Sequence, residues 1–350
     1  MKGKYLKKTD VGSKGWKKKL LITAGSVVAV LLVIFATVFI WADSLLDGIG
    51  RLDGNDQTLS SDDLAEILDP MNTDPDVDRA DSIFADKDIV NILLVGQDRR
   101  PGEPRMHSDA MILCTINKAT NTLTMTSFMR DMWVYIPDHY NERINVPYMV
   151  GGFPLLNETL EYNFGIAADY NFEIDFNGFM NAIDMVGGID INLTKKEADY
   201  LNERGNWGVD DNTNWNLKEG MNKLTGSQAL AYSRIRAIGD DFARTNRQRT
   251  VLTELIEKAK TLGVTEIYKL VKSMLPLLST DMTNGQILGL VMEMLPMLGE
   301  LNVVSQRIPL DNEYSFANKH GASVIELSKS NFDAAKNLLI KTMKTSEVTP

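Results

Sequence analysis

A stretch of 23 consecutive uncharged and mostly apolar residues, at positions 20–42, constrains this chain more than any other feature. About 20 such residues suffice to cross the hydrocarbon core of a bilayer as a helix. Eight lysines and one acid precede the stretch, and such an excess of positive charge keeps its end of a span in the cytoplasm. The sequence therefore predicts a cytoplasmic tail at residues 1–19, a transmembrane helix at 20–42, and everything later outside the membrane. A cleaved signal peptide is the alternative, but its apolar region usually has only about 7–15 residues.

The charge of the outer part limits its partners. The chain has 37 basic and 47 acidic residues, of which 29 and 46 follow residue 19, so that the outer part has a net charge of −17. Binding to DNA depends mainly on cations that neutralise phosphates, and this balance argues against a nucleic-acid partner. The single cysteine, Cys114, lies in an apolar run and is predicted to be buried and inert. With three scattered histidines, no thiol or imidazole metal site has its usual spacing, so any metal would be held by oxygens.

The pattern beyond the predicted span indicates a stalk followed by one α/β unit. Residues 43–87 are rich in Asp, Gly, Ser and Asn and predict an extracellular stalk. From Asp88 onward, strands alternate with helices, which predicts a mixed central sheet flanked by helices. Residues 88–262 are expected to carry the site, and 263–350 to continue the same domain. The predicted strands are 89–96, 110–117, 122–128, 189–193 and 303–308, with a hairpin turn at 117–121. The predicted helices lie near 154–162, 176–186, 241–261, 264–278, 284–298 and 331–344.

One segment of the chain holds five arginines within 16 residues. Arg234 and Arg236 would point to one face of an extended segment, because side chains there alternate with period two. Arg244, Arg247 and Gln248 would share one face of a helix. Guanidinium groups are forked, permanently charged donors that match phosphate oxygens, so the segment predicts an anion site. A solvated helix with Asp–Arg pairs fits this segment equally well when it is taken alone.

Polar residues at the ends of the predicted strands form a second candidate site. Asp98 follows the first strand and Asp109 precedes the second, and carboxylates at adjacent strand ends can meet in space. Such a pair could hold Mg²⁺, which prefers one or two carboxylates together with phosphate oxygens and water. Loop-capping aspartates are the alternative. Further candidates follow along the chain: Arg130, Asp131, Arg143 and Asn145.

These pieces occur in an order that resembles the LytR-CpsA-Psr family. In chain order they are Gly96-x-Asp98-x-Arg100, Ser108-Asp109, Ser127-x-x-Arg130-Asp131, Ile144-Asn145 before Gly151-Gly152, Gly187-Gly188-Ile189, and the block from Arg234 to Gln248. Each piece alone is common. Six of them in this order, over about Asp88 to Leu255 and behind a single predicted membrane helix, make the resemblance specific.

The resemblance implies an α/β domain that encloses an apolar tunnel for a polyprenyl chain, with the pyrophosphate held at the mouth by arginines and Mg²⁺. It also implies transfer of teichoic acid or capsule-type polymers to peptidoglycan. By matching position, Asp98 and Asp109 would be the carboxylates associated with Mg²⁺. The residues implied to contact the pyrophosphate region are Arg100, Arg130, Arg234, Arg236, Arg244, Arg247 and Gln248. At the position of Arg143, a lysine is commoner in the family. Since both side chains are cations, Arg143 is expected to bind substrate in its place, beside Asn145.

The implied chemistry is a phosphoryl transfer, which needs mainly positioning and charge neutralisation. A wall sugar hydroxyl would attack the phosphorus attached to the glycopolymer, and polyprenyl phosphate would leave. Arg130 and Arg244 would neutralise charge, and either Asp98 or Asp131 would take the proton. Two other functions stay open: a non-catalytic protein that binds or presents polyprenyl-phosphate lipids, and a regulator of cell-envelope genes.

Overall fold

The computed structural model describes residues 50–51, 88–97, 105–203, 215–274, 277–294 and 296–343. They belong to one unit, Gly48–Pro350. Within these ranges, no helix combines the length and the hydropathy needed to cross a membrane. The predicted tail and span at residues 1–42 lie outside the described residues.

Strands and helices alternate along the described chain. The strands are β1 Gly50–Arg51, β2 Ile89–Gly96, β3 Ala110–Asn117, β4 Thr122–Phe128, β5 Trp133–Tyr135, β6 Asn141–Arg143, β7 Tyr170–Ile174, β8 Ile189–Leu193, β9 Gly220–Leu224, β10 Leu278–Thr280, β11 Asn302–Ile308, β12 Ser315–Lys319 and β13 Ala322–Glu326. The α-helices are α1 Val146–Phe164, α2 Phe176–Met185, α3 Lys195–Glu203, α4 Gly226–Ser233, α5 Asp241–Lys260, α6 Val264–Met274, α7 Asn284–Met294 and α8 Lys329–Met343. The bounds predicted for β2, β3, β4 and β8 are confirmed.

Seven strands form one mixed sheet in the order β1-β10-β7-β2-β3-β4-β11. Strands β2, β3 and β4 form an antiparallel meander, while β7 runs parallel to β2 and β11 runs parallel to β4. Strands β10 and β11, both from the part of the chain after residue 263, therefore lie on opposite sides of the meander. Gly50–Arg51 lies within the segment predicted as a stalk, yet it pairs with β10 at Ser279 and Thr280.

Helices cover both faces of this sheet. Alternation along β2 sends Leu93 and Val95 into a core with α1 and α8, and sends Ile92 into a core with α5 and α7. Cys114 lies in the second of these cores, where burial raises the pKa of its thiol to about 12. The predicted burial of Cys114 is confirmed, and so is the predicted sheet flanked by helices.

A second core lies beyond α5. It is enclosed by α2, α3, α4 and the β8–β9 hairpin, and it includes Ile189, Leu201 and Leu224. Consecutive residues of α5 divide between the two cores, because Val251 packs into this one and Leu252 packs against the sheet. Helix α5 therefore forms the boundary between the sheet and the second core.

Helix α1 begins eight residues earlier than the sequence predicts. The chain between Val146 and Phe164 is helical on both sides of a break at Gly152, which has φ of 64°. A Cβ at Gly152 would lie 2.9 Å from Nη1 of Arg105, the end of a side chain that can shift, so it is the positive φ that favours glycine here. The predicted helix, near 154–162, corresponds to the segment after the break. The predicted helix near 264–278 also differs, since α6 ends at Met274 and the chain then enters β10.

Candidate functional site

A cavity of about 710 Å³ lies between the sheet and the helices α2, α4 and α5. The sheet side is formed by residues of β2, β3 and β7, among them Leu94, Ile112 and Phe172. These three occupy one cross-strand row, since Leu94 is paired with both Ile112 and Phe172. Facing them, α5 presents the lining residues Arg244, Gln248, Leu252 and Leu255.

The lining changes from apolar to charged along the cavity. The four α5 residues follow the i, i+4, i+8, i+11 spacing of one helix face, so the stripe runs from an arginine in the first turn to leucines about 16 Å further along the axis. The other charged arginines of the lining, Arg234 and Arg236, come from the segment just before α5. The cavity therefore has an apolar interior and a cationic end where α5 begins.

Asp109 anchors one side of this cationic end. Its Oδ1 lies 3.1 Å from Nη1 of Arg130 and 3.8 Å from Nη2 of Arg236. Arg130 also lies within 3.5 Å of Asp131 through its Nε. Asp109 is placed by the sheet, because its backbone N–H donates to the carbonyl of Gly96 at the end of β2. The predicted meeting of distant motifs thus occurs for Asp109, Arg130, Asp131 and Arg236.

Asp241 anchors the other side. Its Oδ1 lies 2.5 Å from Nη2 of Arg244 and 3.8 Å from Nη2 of Arg130. Burial raises the pKa of Asp241 and lowers that of Arg244, and in each case the charge of the other residue opposes the shift. Arg244 is only 4% exposed, and its Nε has no hydrogen-bond acceptor among the described atoms. A buried charged donor without an acceptor is costly, so this N–H is available to an anionic ligand.

Two further predicted arginines lie at the rim. The guanidinium of Arg234 stacks over the ring of Phe176, with its Cζ 4.4 Å from the ring centroid. Arg236 is 65% exposed at the side chain and faces Asp109. Ile235 between them is buried in the second core. Both arginines line the cavity, but not on the extended backbone that the period-two argument assumed, since Arg234 ends the preceding helix with φ of −101° and ψ of 0°.

Arg247 does not line the cavity. Its Nε donates to Oε1 of Glu197 at 2.7 Å, and its Nη1 and Nη2 donate to the carbonyls of Ile235 and Ile238 at 3.2 and 2.8 Å. The prediction from helix spacing placed it beside Arg244 and Gln248, but at i+3 the side chain turns toward α3 and the second core. Arg247 instead fixes the segment that carries Arg234 and Arg236.

The remaining predicted residues are Arg143, Asn145, Asp98 and Arg100. Arg143 pairs with Glu142 at 3.4 Å in the β5–β6 hairpin and is not among the cavity residues. Asn145 is buried at the start of α1, and its carbonyl accepts from the N–H of Ser108 at 3.4 Å, directly before Asp109. Asp98 and Arg100 lie outside the described residues.

Asp241 belongs to the block of residues singled out in the sequence, but it was given no role in the site. It stands in an Asp-Asp pair in which Asp240 caps α5 by accepting from the N–H of Ala243 at 2.9 Å. A second acid at a helix start is commonly explained by the helix dipole alone. The available signal was its i, i+3 spacing to Arg244, which places both groups on one helix face.

Comparison with known proteins agrees with this geometry. The profile described as the LytR_cpsA_psr family matches residues 56–341. The chain belongs to the LytR-CpsA-Psr family. It is 34% identical over 201 residues to the polyisoprenyl-teichoic acid–peptidoglycan teichoic acid transferase TagU of Oceanobacillus iheyensis, and the match spans 54% of this chain and 58% of that protein. It is 30% identical over 257 residues to the regulatory protein MsrR of Staphylococcus aureus, across 71% of this chain and 74% of MsrR.

The fold is also shared with a solved structure of the LytR-CPS2A-psr family protein YwtF (TagT) of Bacillus subtilis, which has octaprenyl pyrophosphate lipid bound. The TM-score is 0.56 at 24% identity, and the match covers 73% of this chain and 91% of that one. The family assignment made from the motifs is therefore confirmed, and the likeness to YwtF shows a common fold.

Proposed function

We propose that this protein transfers a glycopolymer of the teichoic acid or capsule type from a polyprenyl-pyrophosphate carrier to peptidoglycan. The observation that carries the proposal is the cavity whose apolar interior ends at a cluster of arginines and aspartates. A polyprenyl pyrophosphate has the same two parts, an apolar chain and a dianionic head. The name of TagU and the lipid bound to YwtF support the same substrate class.

The proposed step is an in-line displacement at phosphorus. A hydroxyl oxygen of the acceptor sugar forms a bond to the phosphorus that carries the glycopolymer. The bond from that phosphorus to the bridging oxygen breaks, and polyprenyl phosphate leaves with the electron pair. The hydroxyl proton passes to a carboxylate, for which Asp98 and Asp131 are the candidates. No nucleotide is needed, because the pyrophosphate linkage already stores the driving force.

The arginines of the site supply the charge stabilisation in this proposal. Arg130 and Arg244 are held by Asp109 and Asp241, so their donors are fixed before substrate arrives. Donors that are already oriented need no reorganisation when charge develops on the phosphoryl oxygens. The free Nε of Arg244 is a donor of this kind.

We assign Mg²⁺ to the carboxylates Asp98 and Asp109. Asp109 fits such an ion, because it lies among the cavity residues, is partly exposed, and needs to supply only one of a few oxygens when the pyrophosphate supplies others. Among the residues that the structure describes, no group of three or more potential ligands is present, so the ion would depend on the substrate's own oxygens. Bound there, Mg²⁺ would neutralise charge on the pyrophosphate.

We further propose that residues 20–42 anchor the protein in the cell membrane, with the N-terminus in the cytoplasm and the site outside. Such an anchor keeps the cavity near a carrier lipid that stays in the bilayer. The net charge of −17 beyond the tail would then face the cell wall.

The test is a transfer assay with the purified full chain. Lipid-linked glycopolymer, Mg²⁺ and peptidoglycan are incubated with the protein, and covalent wall polymer is measured. We expect transfer that is lost on chelation of Mg²⁺ and restored when the ion is added back. Intact lipid and no wall product, with the lipid nevertheless bound, would instead identify a non-catalytic binding or presenting protein.

A further inference from the structure

The ion-paired residues at the cationic end of the cavity form what we call the charged cluster: Asp109, Arg130, Arg236, Asp241 and Arg244. Three aromatic side chains form a continuous patch beside it. The rings of Phe242 and Tyr314 stack with centroids 4.8 Å apart and an interplanar angle of 28°. Phe316 meets both rings edge-on, at 5.6 Å from Tyr314 and 6.5 Å from Phe242. We call Phe242, Tyr314 and Phe316 the aromatic platform. Phe242 and Tyr314 pack against the core, whereas Phe316 is 65% exposed.

Two separate links hold the aromatic platform next to the site. Phe242 directly follows Asp241, which pairs with Arg130 and Arg244. Phe316 lies on β12 opposite Ile325 of β13, and the N–H of Ile325 donates to the carbonyl of Asp131 at 2.8 Å. The aromatic platform therefore borders the charged cluster through both α5 and the β12–β13 hairpin.

The platform and the cavity flank the charged cluster on different sides. Phe242 precedes Arg244 by two residues, which is about 200° around the helix, so it faces away from the cavity stripe of α5. The cavity lies over β7, β2 and β3. The aromatic platform lies toward the opposite edge of the sheet, where β11 pairs with β4. Arg307, near the end of β11, has its Cζ 4.3 Å from the ring centroid of Phe242.

This arrangement has a direct consequence for an in-line reaction. The attacking and leaving oxygens lie roughly opposite each other across the phosphorus. If the leaving polyprenyl phosphate extends into the cavity, the acceptor hydroxyl must arrive from the far side of the charged cluster. The aromatic platform is on that side.

We infer that the aromatic platform is a subsite for a hexosamine ring of the peptidoglycan acceptor. One face of such a ring presents mainly C–H groups, and these pack favourably on the electron-rich face of an aromatic side chain. Phe316 is the exposed ring of the aromatic platform, so its face is open to such a ligand. This inference rests on the proposed function, since it assigns the acceptor of that reaction.

The test compares two variants of Phe316 in the full chain, purified in detergent micelles. Phe316→Ala removes the exposed ring, and Phe316→Leu keeps an apolar side chain without an aromatic face. Because the ring is mostly exposed, neither change should affect folding, which thermal denaturation checks. Met221→Ala is the matched control, since Met221 is a similarly exposed apolar residue, at 70%, in the distant β8–β9 hairpin.

Transfer is measured against the concentration of soluble peptidoglycan glycan strands at saturating lipid donor. We expect KM for the glycan strands to rise about three- to tenfold in both Phe316 variants, while kcat and KM for the donor stay unchanged. Met221→Ala should match the wild type. An unchanged acceptor KM, or an increase in donor KM instead, would overturn the inference.

Two further measurements separate this inference from its alternatives. Isothermal titration of glycan strands without donor reports sugar binding even if the wild type transfers nothing; weaker binding by both Phe316 variants then supports the subsite while the proposed function fails. Equal binding by wild type and variants overturns the subsite. Binding to phosphatidylglycerol vesicles that is weakened by Phe316→Ala and restored by Phe316→Leu would also overturn it, since the ring would then contact a bilayer.

Discussion

Arg244 and Arg247 lie one turn apart on α5 but serve different parts of the molecule. Arg244 lines the cavity and is paired with Asp241, whereas the three guanidinium nitrogens of Arg247 donate to Glu197 and to two backbone carbonyls. The first can meet a ligand, and the second positions the segment that carries Arg234 and Arg236. Identical side chains at the spacing of one helix face therefore have different roles, set by the partners around them.

We expect Arg244→Ala to lower the transfer rate about 10²- to 10³-fold, the usual loss for one oriented donor to a charged transition state. Arg244→Lys should keep the ion pair with Asp241 but lose the forked donors, and should recover only part of the rate. Initial-rate transfer assays at saturating donor and acceptor measure both.

Lys195→Ala provides the control for these variants, since Lys195 is 72% exposed on α3 and away from the cavity. Its transfer rate should equal that of the wild type. If Arg244→Ala, folded as judged by its melting temperature, also transfers at the wild-type rate, Arg244 does not contact the reacting phosphate.

Helix α5 connects the sheet, the cavity and the second core. Its N-terminus carries Asp241 and Arg244, its middle lines the cavity, and Arg247 ties it to α3 through Glu197. Burial alone would raise the pKa of Glu197, but the hydrogen bonds from Arg247 and Thr194 outweigh it and lower that pKa. The ionised carboxylate is therefore the form that the fold stabilises.

This lowered pKa predicts a dependence of stability on pH. The stabilisation from Glu197 is present above the pKa that the carboxyl has in the unfolded chain, and it is lost as the pH falls through the lower folded value. We expect Glu197→Gln to lower the free energy of unfolding at neutral pH by about 1–3 kcal/mol. It should also flatten the decline of that free energy as the pH falls below about 4.3, the usual pKa of a glutamate.

Denaturant unfolding across that pH range checks this prediction. Glu257→Gln is the control on α5 itself, because Glu257 is 44% exposed in its pair with Lys260 and such surface pairs contribute little. If the free energy of unfolding falls with acid as steeply in Glu197→Gln as in the wild type, ionised Glu197 is not the source of this pH dependence.

The wall of the cavity offers a test of lipid binding. Ala182 of α2 is 4% exposed and lines the cavity. Ala182→Phe should place bulk in the space proposed for the polyprenyl chain and weaken binding of a polyprenyl pyrophosphate about tenfold or more. Met185→Phe on the same helix, at an exposed position outside the lining, should bind normally. Fluorescence titration with the lipid measures both. If folded Ala182→Phe binds the lipid normally, the polyprenyl chain does not occupy this cavity.

The molecule as a whole has a negative net charge beyond its basic tail, which disfavours binding to polyanions such as DNA. Its net charge beyond the basic tail is −17, and two arginines of the cavity, Arg236 and Arg244, are paired with aspartates. This distribution favours one dianionic head in a cavity over an extended polyphosphate backbone.

We therefore expect the unit Gly48–Pro350 to bind no DNA at physiological salt, even at about 10 µM protein. A filter-binding assay with duplex DNA measures this, and the same unit should still bind polyprenyl pyrophosphate. Saturable, sequence-dependent DNA retention would favour the regulator that the name of MsrR describes.

Much of the fold followed from local patterns. The meander of β2, β3 and β4 was predicted with its bounds, because long apolar runs and the turn at 117–121 identify strands without reference to the rest of the chain. Strand β7 was missed: it contains Asn171, which strands disfavour, and it is stabilised by Asp281, whose carboxylate accepts from the N–H of Asn171 at 2.9 Å and from its side chain at 2.6 Å. A partner 110 residues away is invisible to a local pattern.

The sequence by itself determined the residue types of the site, the family, and the central strands, because motif order and side-chain periodicity are local properties of the chain. Only the tertiary structure decided that Arg244 and Gln248 line the cavity while Arg247 does not, that Asp241 joins the cluster, and that Phe242, Tyr314 and Phe316 meet. Those outcomes depend on which side chains from distant segments compete for the same space and the same hydrogen bonds, and no local pattern encodes that competition.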